Sequence, residues 1–210
     1  MLKVFYLSTE EIHIEYLENL LAYVSRQRRA KVLRCKFDGD RLRSLGAGLL
    51  LAYGERTLPC EQRQYCNVTH SGKYAAVAFS DKPVGIDLEM HGRFAGQEKR
   101  MRAVAGKAFS HAEQLKLDEL LSGDAKAEDF FLTTWTRKEA YAKMLGKGLA
   151  MDLSTIDTLD ERVFWTSFPR EDFCLSICPG TEPVDICSVP FDCLLTQKYD
   201  TIAKGGCLHV

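Results

Sequence analysis

The sequence predicts an α+β protein, because strand and helix periods both recur along it. Val84, Ile86 and Leu88 alternate with Gly85, Asp87 and Glu89, the two-residue period of a strand. Leu42 to Tyr53 is apolar over most of a helical length, which marks a core helix. Trp135, Glu139 and Lys143 recur every fourth residue, so they share one face of a further helix.

The elements follow in order. Lys3 to Leu7 forms a short strand, and Ile12, Tyr16, Leu17, Leu20, Leu21 and Val24 then recur at helical spacing. From Arg26 to Arg43 the chain turns basic, with Arg26, Arg28, Arg29, Lys31, Arg34, Lys36, Arg41 and Arg43 opposed only by Asp38 and Asp40. A solvated helix face is the ordinary explanation of such a run. After the Leu42 to Tyr53 helix, strands Tyr65 to Thr69 and Tyr74 to Phe79 are joined by Ser71-Gly72-Lys73, where glycine supplies the permissive backbone. Strand Val84 to Leu88 leads into a helix from about Gly96 to Ala108, and Ser110-His111-Ala112-Glu113 has the form of a capping box opening another. Asp129 to Leu145 is the next helix, ended near Gly146 and Gly148. Strands Val163 to Phe168, Phe173 to Cys178 and Val184 to Val189 close the chain, and no internal repeat is strong enough to demonstrate a duplication.

Composition describes an ordinary soluble protein. With 210 residues, 46% hydrophobic content and a net charge of -1, the chain can bury a substantial core as one domain or two small ones. That balance announces no nucleic-acid binder. The longest apolar runs, such as Leu49 to Ala52, are too short to cross a bilayer, and the first residues are acidic where a secretory signal would be basic. The expected location is therefore the cytoplasm, with no membrane association. Cys35, Cys60, Cys66, Cys174, Cys178, Cys187, Cys193 and Cys207 include no Cys-x-x-Cys pair and no matching histidine pair, which argues against zinc. In a reducing cytosol all eight stay thiols, with Cys174 and Cys178 acting as small hydrophobes in a strand.

The chemistry concentrates in two stretches. Strand alternation puts Asp87 and Glu89 on one face, while the 135–143 helix offers Glu139 with Lys143 one turn beyond. Three carboxylates gathered from a strand and a helix suit Mg²⁺, which prefers carboxylate and water oxygens and is usually completed by substrate phosphates. Lys143 would then meet a phosphate. Taken singly, Glu139 and Lys143 are an ordinary exposed helix pair worth about 0.3–0.5 kcal/mol, and Asp-x-Glu at a strand end is common.

Together the stretches resemble the two signatures of the phosphopantetheinyl transferases of the surfactin-synthetase-activating type, Gly-Ile-Asp-x-Glu and Trp-x-x-Lys-Glu-Ala-x-x-Lys. Asn67-Val68-Thr69-His70-Ser71 stands where that family carries Asn-x-Ser-His-Ser, with Thr69 keeping the hydroxyl. Phe109-Ser110 with Glu113, and Gly146-Lys147-Gly148-Leu149, match as well, and the resemblance runs from roughly Arg28 to Leu153. It implies two similar α/β halves, 1–81 and 82–210, related by a pseudo-twofold axis with the ligand cleft between them. Coenzyme A would be the substrate and Mg²⁺ the metal, held by Asp87, Glu89 and Glu139.

The resemblance also assigns roles. Lys31, with Arg28 second, falls beside the 3′-phosphate of coenzyme A, while Thr69, His70, Ser71 and Lys143 fall near its pyrophosphate. The Gly-Lys-Pro turn that contacts adenine in many relatives is missing between Thr57 and Tyr65, and Arg63 is the candidate to replace it. Glu139, directly or through a water, is the favoured general base, with Asp87 and Lys143 beside it. The implied reaction moves the 4′-phosphopantetheine arm to a serine of an apo acyl or peptidyl carrier protein and releases adenosine 3′,5′-bisphosphate. Carrier proteins are acidic, and His91 to Lys107 offers Arg93, Lys99, Arg100, Arg102 and Lys107, with Phe94 and Met101 as apolar anchors. A solvated helix explains that patch equally well. The protein is expected to act as a monomer. A nucleotide kinase would need a Gly-x-x-x-x-Gly-Lys-Ser/Thr loop, which is absent. A non-catalytic carrier-binding relative would be expected to lack one of the four charged residues.

Overall fold

The computed structural model describes residues 1–122, 126–147, 151–160, 165–180 and 183–196, together with the backbone of 208–209. The expected helix stop at Gly148, the Leu149 match, the start of a strand at Val163 and Cys207 lie outside the described residues. The chain divides into two compact units, Met1–Pro83 with Glu182–His209, and Val84–Thr181.

The first unit is built on a five-stranded sheet. Strand β1 (Leu2–Ser8) is followed by a 3-10 turn and a short helix α1 (Leu17–Leu20), then by α2 (Arg26–Arg34), α3 (Asp38–Thr57), β2 (Tyr65–Ser71) and β3 (Tyr74–Ser80). Two strands from the far end of the chain, β7 (Val184–Ser188) and β8 (Leu208–His209), complete the order β7-β1-β3-β2-β8. β3 pairs antiparallel with both β1 and β2, whereas β7 lies parallel to β1 and β8 parallel to β2. Expectation had kept everything after residue 81 in one half. The ladder from Leu2↔Val184 to Tyr6↔Ser188 instead returns the last strands to the first sheet.

Helix α3 supplies the core against that sheet. Leu45, Leu49 and Leu50 are fully buried, Phe5 sits edge-on to Tyr53 at 5.1 Å, and Phe79 is enclosed beside them. The helix starts at Asp38, four residues before its apolar stretch, because Asp38 and Asp40 in the first turn favour the positive end of the dipole. Hydrophobic spacing cannot reveal a polar first turn. The single helix expected between Ile12 and Val24 is instead α1 flanked by 3-10 turns at Ile14–Tyr16 and Leu21–Tyr23. Neither His13 nor Tyr16 caps the amides that follow, so the segment is held by burial of Leu17, Leu20, Leu21 and Val24.

The second unit carries a three-stranded antiparallel sheet, β4 (Gly85–Met90), β6 (Phe173–Cys178) and β5 (Thr166–Pro169), in the order β4-β6-β5. Helices α4 (Glu98–Ala108), α5 (His111–Leu121) and α6 (Ala127–Met144) accompany it. Phe131 packs on Phe94 at 4.7 Å and on Phe109 at 5.2 Å between ring centres. α5 opens with the capping box legible in the sequence: Ser110 accepts the Glu113 amide, and the Glu113 carboxylate accepts the Ser110 amide. A four-residue helix α7 (Phe191–Leu194) belongs to the first unit. No helix among the described residues is long and apolar enough to cross a membrane.

Candidate active site

Gly85 sets the distance between β4 and α6. A Cβ built there would stand 1.8 Å from the Ala140 carbonyl oxygen and 2.6 Å from the Met144 amide nitrogen, both backbone atoms that cannot step aside. Only hydrogen fits, so the strand backbone lies directly on the helix. Alternation then points Asp87, two residues on, toward the same helix. Lys143 Nζ donates to Asp87 Oδ1 at 2.7 Å and to the Ile86 carbonyl at 3.1 Å.

Glu139 stands one turn before Lys143 on that helix, partly buried. Burial, then the charges of Asp87 and Glu89, push its carboxyl above the ordinary range, and Lys143 partly offsets them. Glu139 therefore feels both of the other acids. Glu89 pairs with Arg93, four residues later. The arrangement differs from the expected three-carboxylate grip: among the described residues, no three His, Cys, Asp or Glu side chains converge closely enough to hold an ion as they stand. Two of the acids instead pair with cations of their own chain, Asp87 with Lys143 and Glu89 with Arg93. The donor chemistry still fits a hard divalent cation, because the oxygens of Asp87, Glu89 and Glu139 are carboxylates.

Apart from Lys143 on α6, the residues expected around coenzyme A lie in the first unit. Arg28 is the third residue of α2, whose start is capped by Ser25 accepting the Arg28 amide at 3.2 Å. Its stem runs over Gly48 of α3, where an added Cβ would come within 2.5 Å of Arg28 Cγ. Burial holds the Arg28 guanidinium below its usual range, and burial followed by the Arg28 charge does the same to Lys31. Arg63 is the residue expected at the adenine. It is buried, and its guanidinium turns onto its own loop, donating to the Leu58 carbonyl at 3.1 Å and to Cys60 Sγ at 3.2 Å. The trio on β2 is also divided, since strand alternation buries Thr69 and Ser71 and leaves His70 exposed.

The sequence model described as the 4'-phosphopantetheinyl transferase superfamily matches residues 83–183, the stretch that carries Asp87, Glu139 and Lys143. Over 159 residues the chain is 26% identical to 4'-phosphopantetheinyl transferase Sfp of Bacillus subtilis (strain 168), covering 66% of this chain and 67% of that protein. It is 30% identical over 160 residues to 4'-phosphopantetheinyl transferase psf-1 of Bacillus pumilus, covering 66% and 65%. This chain belongs to the 4'-phosphopantetheinyl transferase superfamily. It is also 31% identical over 136 residues to 4'-phosphopantetheinyl transferase AcpT of Escherichia coli (strain K12), covering 62% and 66%. The matches span about two thirds of the length of these relatives.

Within this superfamily member, sequence reasoning left Lys138 and Glu113 without a role in the site. Their side chains are 0% exposed and bonded to each other at 2.7 Å, and Lys138 immediately precedes Glu139 on α6. The signal was present, since Lys138 belongs to the second signature and Glu113 to the capping box. The proposed carrier-docking patch also changes. Phe94, in the turn before α4, and Met101, on α4, are buried in the core rather than offered as anchors. Arg93 is engaged by Glu89 and Arg102 by Asp118. Lys99, Arg100 and Lys107 remain exposed on α4, with Arg100 stacked over Phe94 at 5.0 Å.

Proposed function

We propose that this protein transfers the 4′-phosphopantetheine arm of coenzyme A to a serine of an acidic apo acyl or peptidyl carrier protein, releasing adenosine 3′,5′-bisphosphate. The observation that carries the reading is the meeting of Asp87, Glu139 and Lys143 on β4 and α6 in a chain of this superfamily. In the proposed reaction the serine oxygen forms a bond to the β-phosphorus, and the bond from that phosphorus to the bridging oxygen breaks. The bridging oxygen leaves with adenosine 3′,5′-bisphosphate. Glu139 takes the serine proton, directly or through a water, which suits a carboxyl held above its ordinary range. Lys143 places an ammonium against a phosphate oxygen, and His70, exposed on β2, donates to the pyrophosphate.

Asp87, Glu89 and Glu139 are the residues that would hold Mg²⁺, which when bound neutralises pyrophosphate charge and stabilises charge developing on the leaving group. Arg28 and Lys31 are assigned to the 3′-phosphate. The reading includes the pseudo-twofold relation of the halves and the cleft implied by the resemblance, a cytoplasmic monomer, and a carrier met by Lys99, Arg100 and Lys107. It leaves open whether fatty-acid, polyketide or nonribosomal-peptide carriers are served.

Intact mass spectrometry of an apo acyl carrier protein incubated with this protein, coenzyme A and Mg²⁺ tests the reading. A gain of one phosphopantetheine, lost with Glu139→Gln and after chelation, is expected. Coenzyme A binding without transfer to several unrelated carriers would point to a non-catalytic relative, and absence of coenzyme A binding would end the proposal.

A further inference from the structure

Three successive residues of α6 are tied to three different elements immediately before Glu139. Thr136 Oγ1 lies 2.8 Å from Ser176 Oγ on β6, the residue paired with Asp87 across the sheet. Arg137 Nε donates to Ser167 Oγ of β5 at 3.0 Å, and its carbonyl accepts from Trp165 Nε1 at 2.9 Å. Lys138 Nζ donates to Glu113 Oε2 of α5 at 2.7 Å, to the Leu153 carbonyl at 2.9 Å and to the Ile156 carbonyl.

The Lys138 ammonium thus has an acceptor for each of its three protons. Glu113 is equally occupied, accepting the Ser110 and Thr158 amides at 2.7 Å each in addition to Lys138. The surroundings fix which way round the charges stand, with carbonyls meeting the lysine and amides meeting the glutamate. Burial pulls Lys138 below its usual range while Glu113 opposes that shift. A buried ion pair is a poor device for stability, since apolar replacements of similar volume are often neutral or stabilising. A fully satisfied network does confer rigidity. Here that rigidity falls on the peptide joining Lys138 to Glu139.

We infer that Lys138 and Glu113 are a positioning pair for the proposed transfer: without touching substrate, they fix the rotation of the α6 turn that aims the Glu139 carboxylate toward Asp87. The inference rests on the transfer reading for its role in catalysis, though not for its mechanics. Misplacing a reacting group by about 1 Å costs on the order of 100-fold in rate.

The test compares wild type, Lys138→Met, Glu113→Gln and the double variant by melting, by transfer kinetics per folded molecule and by amide hydrogen exchange. Each single variant strands a buried charged partner and loses stability, and the double variant, which removes both charges but still lacks the donor to the Leu153 and Ile156 carbonyls, is expected to recover part of it. Its kcat should nevertheless stay about tenfold or more below wild type, with KM for coenzyme A changed less than about threefold. Exchange should quicken about tenfold or more in α6 around Glu139 while β4 and β6 keep their protection. A double variant with wild-type kcat per folded molecule would overturn the inference. Should wild type itself modify no carrier, the transfer reading fails separately, and exchange still decides the pair: unchanged protection of the α6 turn in Lys138→Met overturns it, and selective loss there supports it.

Discussion

Replacing Gly85 with alanine adds one methyl group where the structure has room for none. The new carbon would stand 1.8 Å from the Ala140 oxygen. Ordinary contact is about 3.5 Å, so β4 and α6 must part by roughly 1.7 Å. The backbone at Gly85 does not require the left-handed region, so the cost is steric rather than conformational. Overpacking of this kind destabilises by about 1–3 kcal/mol, a fall in Tm of roughly 3–10 °C for a chain of this size. The larger effect should be on chemistry. Parting the elements displaces Asp87 from Lys143 and Glu139, and a shift beyond 1 Å predicts a loss of about 100-fold or more in kcat. Gly106→Ala is the matched control, because nothing lies within 4 Å of a Cβ at that helical position. It should raise stability by about 0.5–1 kcal/mol and leave transfer unchanged. Carrier modification followed by mass spectrometry, alongside thermal melts, reads both variants. A Gly85→Ala protein with wild-type Tm and kcat within threefold would refute the close-approach argument.

Other consequences can be measured independently. Burial pushes the Cys178 thiol up to about 12 from its ordinary 9.0, so the folded state holds a proton that the unfolded chain releases above pH 9. The stability this group contributes is complete below pH 9 and declines by about 1.4 kcal/mol per pH unit between the two values. Cys178→Val should show a correspondingly flatter alkaline stability curve, and identical curves would contradict the shift. Ser110→Ala removes the acceptor for the Glu113 amide and should cost about 1 kcal/mol, seen as a Tm lower by roughly 2–4 °C. Lys31→Ala should raise KM for coenzyme A by about tenfold and abolish its preference over 3′-dephospho-coenzyme A. Equal preference in wild type and variant would remove Lys31 from the phosphate assignment.

Much of this molecule was legible before its structure because burial is periodic. β4, β6 and α6 appear where alternation and fourfold spacing put them, and the Ser110 capping box is written in four consecutive residues. What escaped depends on partners distant in sequence. A lysine on a helix reads as solvated, and Lys138 is buried only because Glu113 and two loop carbonyls meet it there. Arg63 looked available for a ligand, yet its Nε and one terminal guanidinium nitrogen turn onto the loop it belongs to. Motif adjacency also suggested that Thr69, His70 and Ser71 act together, whereas a strand sends neighbours to opposite faces. At the metal candidates, sequence supplies the acids and their common side. It does not say that Lys143 and Arg93 are near enough to claim two of them.

The return of β7 to β1 has a consequence for how the chain matures. Leu2 is synthesised long before its partner Val184, which follows only after the whole Val84–Thr181 unit has been made. Until then the outer edge of β1 presents unpaired amides and carbonyls, the kind of edge that recruits other chains. The intervening unit has its own sheet and core and can fold first, as domains generally do during synthesis. By folding, it shortens the effective loop that β7 must close and so lowers the entropic barrier to a pairing between residues so far apart. Slow synthesis or delayed folding of the second unit should therefore appear as aggregation of the first.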